Sequence, residues 1–292
     1  DSASYHWGLA VEDFRQLDDY PLVRWALSQW TVVMRQRQVH LDHPEWWRLV
    51  SYWAFTDRQQ GRVTKALNRL KRLKQRIEKV TKTDAVLVSV MLDIANCKQR
   101  LFGPGSAQNE LKATLALAEQ VAPDLYVEVL VTIAKDLKLT GKYDESEGLY
   151  REALERLGDR EDQIGLRAGS HVRVGDCLSR RERYEEALVE VKKGVALARR
   201  SRSPHLLGDV LNLYGEVLRT SGYLDLAEAA YREAAELMVS IGSVTRFFVQ
   251  ANLAIVLQLQ GDFAQSRRIV EGLLRQRRGQ SFPRERMAFS AL

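Results

Sequence analysis

The strongest constraint on this chain is that it repeats itself. From Gly141 to Ala153 the sequence reads G-K-Y-D-E-S-E-G-L-Y-R-E-A, with Ser146, Tyr150 and Ala153 at i, i+4 and i+7. That spacing puts small, large and small side chains on one helical face. A glycine turn followed by such a stripe lets a helix pack closely against its predecessor. The pattern returns after Gly61 with Ala66, Leu70 and Leu73, after Gly222 with Ala227, Tyr231 and Ala234, and after Gly261 with Ser266, Val270 and Leu273. The small residue five after the turn gives the phase: Ala26, Ala66, Ala107, Ser146, Ala187, Ala227 and Ser266, spaced by 40, 41, 39, 41, 40 and 39 residues. Chance does not hold a phase across seven units, so this is an internal repeat. Twelve residues before the markers stand Ala54, Ala95, Ala134, Gly175, Gly215 and Ala254, all small; Phe14 breaks the rule in the first unit.

These residues resemble the tetratricopeptide repeat, whose helices A and B alternate with small residues where neighbouring helices touch. In the unit from Gly208 to Ala234, the residues Leu211, Tyr214, Gly215, Leu218, Gly222, Ala227, Tyr231 and Ala234 all fall on family positions. The resemblance covers about the last three-quarters of the chain well and the first sixty residues poorly. Its period departs from the usual 34 residues and matches the longer-helix variants of bacterial regulatory proteins and some eukaryotic scaffolds. A HEAT or armadillo array has a similar period, but the Gly/Ala pattern favours the tetratricopeptide. The resemblance implies an all-α fold, an α-α superhelix (TPR-like solenoid) of about seven antiparallel helix pairs.

The expected organisation is a divergent Trp-rich cap over 1–60, the repeat array over 61–280, and the start of a further helix over 281–292. In the cap the expected helices are Tyr5–Leu17, Pro21–Gln38 and Pro44–Gln60. In the array, Glu161–Arg181 pairs with Tyr184–Arg200, and Val244–Gln260 with Phe263–Arg275. Phe102-Gly103-Pro104-Gly105-Ser106 is a strong breaker. All six tryptophans lie in the cap: Trp7, Trp25, Trp30, Trp46, Trp47 and Trp53. Such a cluster either caps the array as core or forms a docking surface.

No apolar run approaches the roughly 20 residues of a membrane span, so no membrane partner is expected. The start, Asp1-Ser2-Ala3, has neither an initiator Met nor a signal-peptide pattern, which reads as a fragment of a larger protein. Cys97 and Cys177 lie two repeats apart, too distant for a disulfide, and free thiols in buried helices suit a reducing, cytoplasmic setting.

The net charge of +6 is unevenly placed: Arg62 to Lys82 holds nine basic residues and one acid, Glu78. Leu67, Leu70, Leu73, Ile77 and Val80 form the apolar stripe of this helix, and Lys65, Arg69, Arg72 and Arg76 line one side of it. This basic side is either the solvated outer face of a B helix or an anion-binding surface for nucleic acid or an acidic partner. The helix has no interleaved aromatics, which counts against single-stranded nucleic acid.

Catalytic patterns are missing: there is no phosphate loop, metalloprotease helix, paired-Cys zinc pattern or nucleophile elbow. His40, Asp42, His43 and Glu45 are too closely spaced for a metal site and read as a helix start. His171 and His205 stand singly, as packing or capping residues. Neither enzyme activity nor a cofactor is expected. What remains is surface. The resemblance implies a concave groove lined by A helices. Carried onto this sequence, its positions include Lys135, Lys138, Asp176, Arg180, Asp209, Asn212, Glu216 and Arg219, with Phe248, Ala251, Ile255 and Leu259 making the last repeat more apolar. Such a face is either merely solvated or holds a protein or peptide partner, or a small polar ligand. The expected role is a protein-interaction or ligand-sensing module of a larger signalling protein. A freestanding assembly scaffold, or a nucleic-acid-associated protein using residues 62–82, is the alternative.

Overall fold

The computed structural model describes residues 2–16, 20–81, 84–241, 243 and 245–278. The further helix expected over 281–292, and Lys82 at the end of the basic run, lie outside them. The described residues form fourteen α-helices and no strand. In chain order these are α1 (Ser2–Gln16), α2 (Tyr20–Gln36), α3 (Pro44–Gln59), α4 (Val63–Val80), α5 (Ala85–Phe102), α6 (Gln108–Val121) and α7 (Pro123–Leu139). Then follow α8 (Tyr143–Leu157), α9 (Ile164–Ser179), α10 (Tyr184–Arg200), α11 (Pro204–Thr220), α12 (Leu224–Ser240), α13 (Arg246–Leu259) and α14 (Phe263–Arg278). Most ends fall within two residues of those expected from the sequence. Three ends differ by three residues: α1 starts at Ser2, α14 runs on to Arg278, and α9 starts at Ile164 because Glu161–Gln163 turns as a 3₁₀ segment, a common way for a helix to begin.

Local chemistry sets the boundaries. The His43 imidazole accepts the Glu45 N–H ahead of α3, with Pro44 in the first turn, so this cluster is a cap. Asp84 caps α5 through the Val86 N–H at 2.7 Å, and Ser203 caps α11 ahead of Pro204. Between paired helices the chain passes through a left-handed residue at Gly61, Gly141, Gly222 and Gly261, with φ of 79°, 82°, 83° and 86°.

The small-residue code is a packing code. Ala26, Ala66, Ala107, Ser146, Ala187 and Ala227 are fully buried. Where the marker is serine, its hydroxyl is satisfied by the partner helix twelve residues earlier. Ser146 Oγ donates to the Ala134 carbonyl at 2.7 Å, and Ser266 Oγ to the Ala254 carbonyl at 2.8 Å. A buried hydroxyl without such an acceptor would be destabilising, so serine substitutes for alanine here at little cost.

The described residues divide into two compact units, with the boundary between Thr132 and Ile133. In the first, Val11, Val23, Leu27, Trp30, Met34 and Leu49 form one core, and Trp47, Leu67, Leu70, Leu73, Ile77, Val90 and Ile94 another. The tryptophan cluster splits: Trp30 and Trp47 are core, whereas Trp25 is exposed and meets Trp7 edge-on at 5.6 Å. In the second unit, Leu211, Leu218, Tyr231, Met238, Val249 and Leu257 pack between α11, α12 and α13.

Candidate functional site

In the second unit the groove residues of α9 and α11 and of the last turns of α7 meet one another. The Lys138 ammonium pairs with the Asp176 carboxylate, and Asp176 accepts from Arg180 Nε at 3.3 Å. Arg180 Nη2 then reaches Glu216 at 3.5 Å, and Glu216 takes Arg219 at 2.7 Å and the Tyr231 hydroxyl at 3.2 Å. A chain of alternating charge thus crosses three successive A helices, reinforced by a Ser179–Thr220 hydroxyl bond of 2.6 Å. Asp176 is buried, its side chain only 3% exposed, between the Lys138 and Arg180 partners of this ladder. Tyr231 and the ladder itself were not foreseen, although Lys138, Asp176 and Glu216 recur at nearly one repeat.

The other groove residues sit along the same helices. Asn212 accepts from Asn252 Nδ2 of α13 at 3.0 Å, which aligns α13 with the ladder. Phe248, Ile255 and Leu259 flank Asn252 at helical spacing and are all exposed. Asp209 lies one turn before Asn212 and 3.4 Å from His205, and Lys135 is exposed on α7 one turn before Lys138. The result is a strip with charge at one end and bare apolar side chains at the other. Arg180 and Arg219 keep part of their guanidinium surface in solvent, where each can take a further carboxylate.

In the first unit the basic stripe of α4 borders a cavity of about 670 Å³. Lys65, Arg69, Arg72 and Arg76 all line it, facing Trp46, Trp47 and Val50 of α3. The aromatics that α4 lacks in its own sequence therefore come from the preceding helix. Behind the wall sits Asp57, fully buried, with Arg62 at 2.8 Å, Arg69 at 3.4 Å, Arg24 at 3.5 Å and Lys65 at 4.0 Å. Nothing in the sequence marked this carboxylate as buried, since it lies near a helix end where acids are usually solvated.

Elsewhere, the His171 imidazole meets Glu190 at 2.8 Å, and Lys193 meets the same carboxylate at 2.8 Å. Burial pushes Glu190 up, but hydrogen bonds from Lys193 and His171 outweigh it and hold the carboxyl below its ordinary range. Cys97 and Cys177 are free and buried, and burial pushes the Cys97 thiol up to about 11, so neither carries nucleophile character. Among the described residues no group of three His, Cys, Asp or Glu could hold a metal ion, and no helix is long and apolar enough to cross a membrane.

No protein-family model and no curated protein sequence matches the chain. Solved structures do. A Rap protein complexed with competence and sporulation factor superposes with a TM-score of 0.74 at 12% identity, covering 94% of this chain and 75% of that one. The apo form of RapI gives 0.68 at 14% identity, covering 94% and 97%. A signal transduction ATPase with a tetratricopeptide repeat sensor, from Pyrococcus horikoshii, gives 0.60 at 16% identity over 92% of this chain. The chain spans 41% of that protein's length. At these identities the likeness is one of fold: the chain is a tetratricopeptide-type helical repeat.

Proposed function

We propose that this chain is a non-catalytic recognition module of a larger signalling protein, and that it binds a protein segment along the A-helix strip of its second unit. The observation that carries this reading is the exposure of Phe248, Ile255 and Leu259 on the face that the Asn212–Asn252 bond joins to the charge ladder. Three bulky apolar side chains exposed in one row offer a patch whose burial against a partner would be favourable. The partly exposed guanidinium groups of Arg180 and Arg219 beyond them suit acidic side chains of the same segment. Because every contact residue stands on a packed helix, the strip is pre-formed and its binding entropy cost is low.

The likeness to a Rap protein complexed with competence and sporulation factor, and to an ATPase whose repeat is a sensor, supports a regulatory role. Two buried free thiols support a reducing, cytoplasmic setting.

A photo-reactive amino acid placed at Phe248 or Ile255 in the full-length parent tests the reading, with Val189 of α10 and Val239 of α12 as exposed apolar controls. The first two positions should capture one common protein that the controls do not. Purified, that partner should bind the Ile255→Glu variant about tenfold or more weakly, as loss of one anchor implies. Unchanged affinity in a folded Ile255→Glu/Leu259→Glu variant would remove the strip from the account.

A further inference from the structure

The cavity between α3 and α4 carries an inference independent of the strip. Lys65, Arg69, Arg72 and Arg76 follow one another at i, i+4, i+7 and i+11, so every turn of α4 adds a cation to the same edge. A merely solvated face needs no cavity beside it, yet here the edge overlooks a space of about 670 Å³, within the range of about 300–1,000 Å³ that small-molecule sites occupy. The opposite wall is apolar and fixed. Trp46 is tied down by its indole N–H to the Val39 carbonyl at 2.7 Å, and Trp47 is 2% exposed.

The charge on this edge is not neutralised from within. The one carboxylate of Asp57 serves Arg24, Arg62, Lys65 and Arg69 together, and Asp42 approaches Arg76 only to 3.7 Å. The Arg72 side chain, in the middle of the row, makes no hydrogen bond and no ion pair among the described residues. A second orphan lies on the facing wall, where the buried indole N–H of Trp47 has no acceptor among the described residues. Surplus positive charge beside a low-dielectric wall focuses the field and raises the local concentration of anions. A polyanion alone would leave the apolar wall unused, and with Trp47 buried there is no succession of exposed rings on which bases could stack.

We propose that this cavity binds a compact amphipathic organic anion, its flat apolar body against Trp46, Val50 and Leu73 and its carboxylate, sulfonate or phosphate group held by Arg72. Arg69 and Arg76, one turn to either side of Arg72, add to the field at the acid group. A guanidinium is suited to this task because its planar fork matches the oxygens of such groups two at a time. The body supplies affinity by apolar burial and the acid group supplies orientation.

The test uses anilinonaphthalene sulfonate, a flat aromatic sulfonate, and its uncharged relative N-phenylnaphthylamine as fluorescent probes of the whole chain. The sulfonate should bind saturably, one per chain, and its affinity should fall about tenfold in Arg72→Gln, the loss of one charged contact, and recover partly in Arg72→Lys. The uncharged dye should bind more weakly and be indifferent to Arg72→Gln. Arg72 is exposed and its side chain has no partner among the described residues, so its variants should keep the wild-type melting temperature. An Arg151→Gln variant in α8 should bind the sulfonate as wild type does. Equal affinity of Arg72→Gln and wild type for the sulfonate would overturn the proposal, as would equal binding of the two dyes. Complete displacement of the sulfonate by a short single-stranded oligonucleotide would also overturn it, in favour of a nucleic-acid surface.

Discussion

Gly175 of α9 and Gly194 of α10 hold the two helices in reciprocal contact. A Cβ on Gly175 would lie 2.4 Å from Val191 Cγ1 and 2.9 Å from the Ala187 carbonyl oxygen. One on Gly194 would lie 2.4 Å from Val172 Cγ2 and 2.7 Å from the Ala168 carbonyl oxygen. Each glycine is thus pressed on the other helix's backbone, which cannot step aside as a flexible side chain could. Alanine normally improves a helix by about 1 kcal/mol over glycine. At these two positions overpacking reverses the sign, and Gly175→Ala or Gly194→Ala should each destabilise by about 1–3 kcal/mol. Gly148→Ala in α8, where nothing lies within 4 Å, should instead be stabilising. Urea melts of the three variants check the contrast; stabilisation at all three would mean that the α9–α10 approach is looser than described.

Glu182 occupies, five residues before Ala187, the place that Gly61, Gly141, Gly222 and Gly261 take in other repeats. It adopts the same left-handed backbone, with φ of 61°. An L-residue pays about 1–2 kcal/mol for that conformation, partly offset by the greater unfolded freedom of glycine. Glu182→Gly should therefore stabilise the chain by about 0.5–1 kcal/mol, and Gly141→Ala should cost about 1 kcal/mol. Thermal melts decide it, and a destabilised Glu182→Gly would show that the Glu182 side chain contributes more than its backbone strain removes.

These two cases show where the repeat was legible. Small residues at helix crossings obey a local demand that recurs, so Ala66, Ala187, Gly175 and Gly215 announce their burial by phase alone. The turn was legible wherever glycine marked it and silent at Glu182, where the same geometry is held by a residue that carries no signal. Trp25 and Trp30 could not be told apart, because burial in the first sixty residues depends on packing that the repeat pattern does not describe. The cavity was half legible. The cations of α4 stand in one row of sequence, but Trp46 and Trp47 belong to another helix and only the hairpin brings them opposite. Five of the eight groove positions, Lys138, Asp176, Arg180, Glu216 and Arg219, turned out to form one ladder, which the sequence showed only as separate positions, since pairing between Lys138 and Asp176 is set by how neighbouring repeats stack.

Glu190 gives the stability a pH dependence with a definite sign. With Lys193 and His171 bonded to it, its folded-state pKa lies below the ordinary value of 4.5. A depressed carboxyl contributes stability that is fully present above the unfolded value and is lost as pH falls through the folded one. The melting temperature of Glu190→Gln should therefore lie below wild type at neutral pH, and the gap should close as the solution is acidified below about pH 4.5. Melts across that window check it. A gap that stays constant would assign the loss to packing rather than to the charge.

Asp176 tests whether the ladder is framework. Its side chain is 3% exposed and flanked by Lys138 and Arg180, themselves 20% and 38% exposed. Removing one member of a buried ion pair leaves its partner's charge uncompensated, at a cost of about 3–5 kcal/mol when both are deeply buried. Because Lys138 and Arg180 retain some solvent, Asp176→Leu should fall at or below the lower end of that range. Replacing both partners, as Lys138→Met/Asp176→Leu, removes the stranded ammonium and should recover much of the loss. A double-mutant cycle in urea measures this directly, and the coupling should exceed about 1 kcal/mol, well above the scatter of independent sites. The same cycle repeated with the partner bound separates framework from recognition. If the ladder only holds A helices in register for Phe248, Ile255 and Leu259, the folded double variant should keep the partner's affinity while Ile255→Glu loses it. If the double variant binds as poorly as Ile255→Glu, the charges themselves contact the partner and Asp176 is not the framework residue its burial indicates.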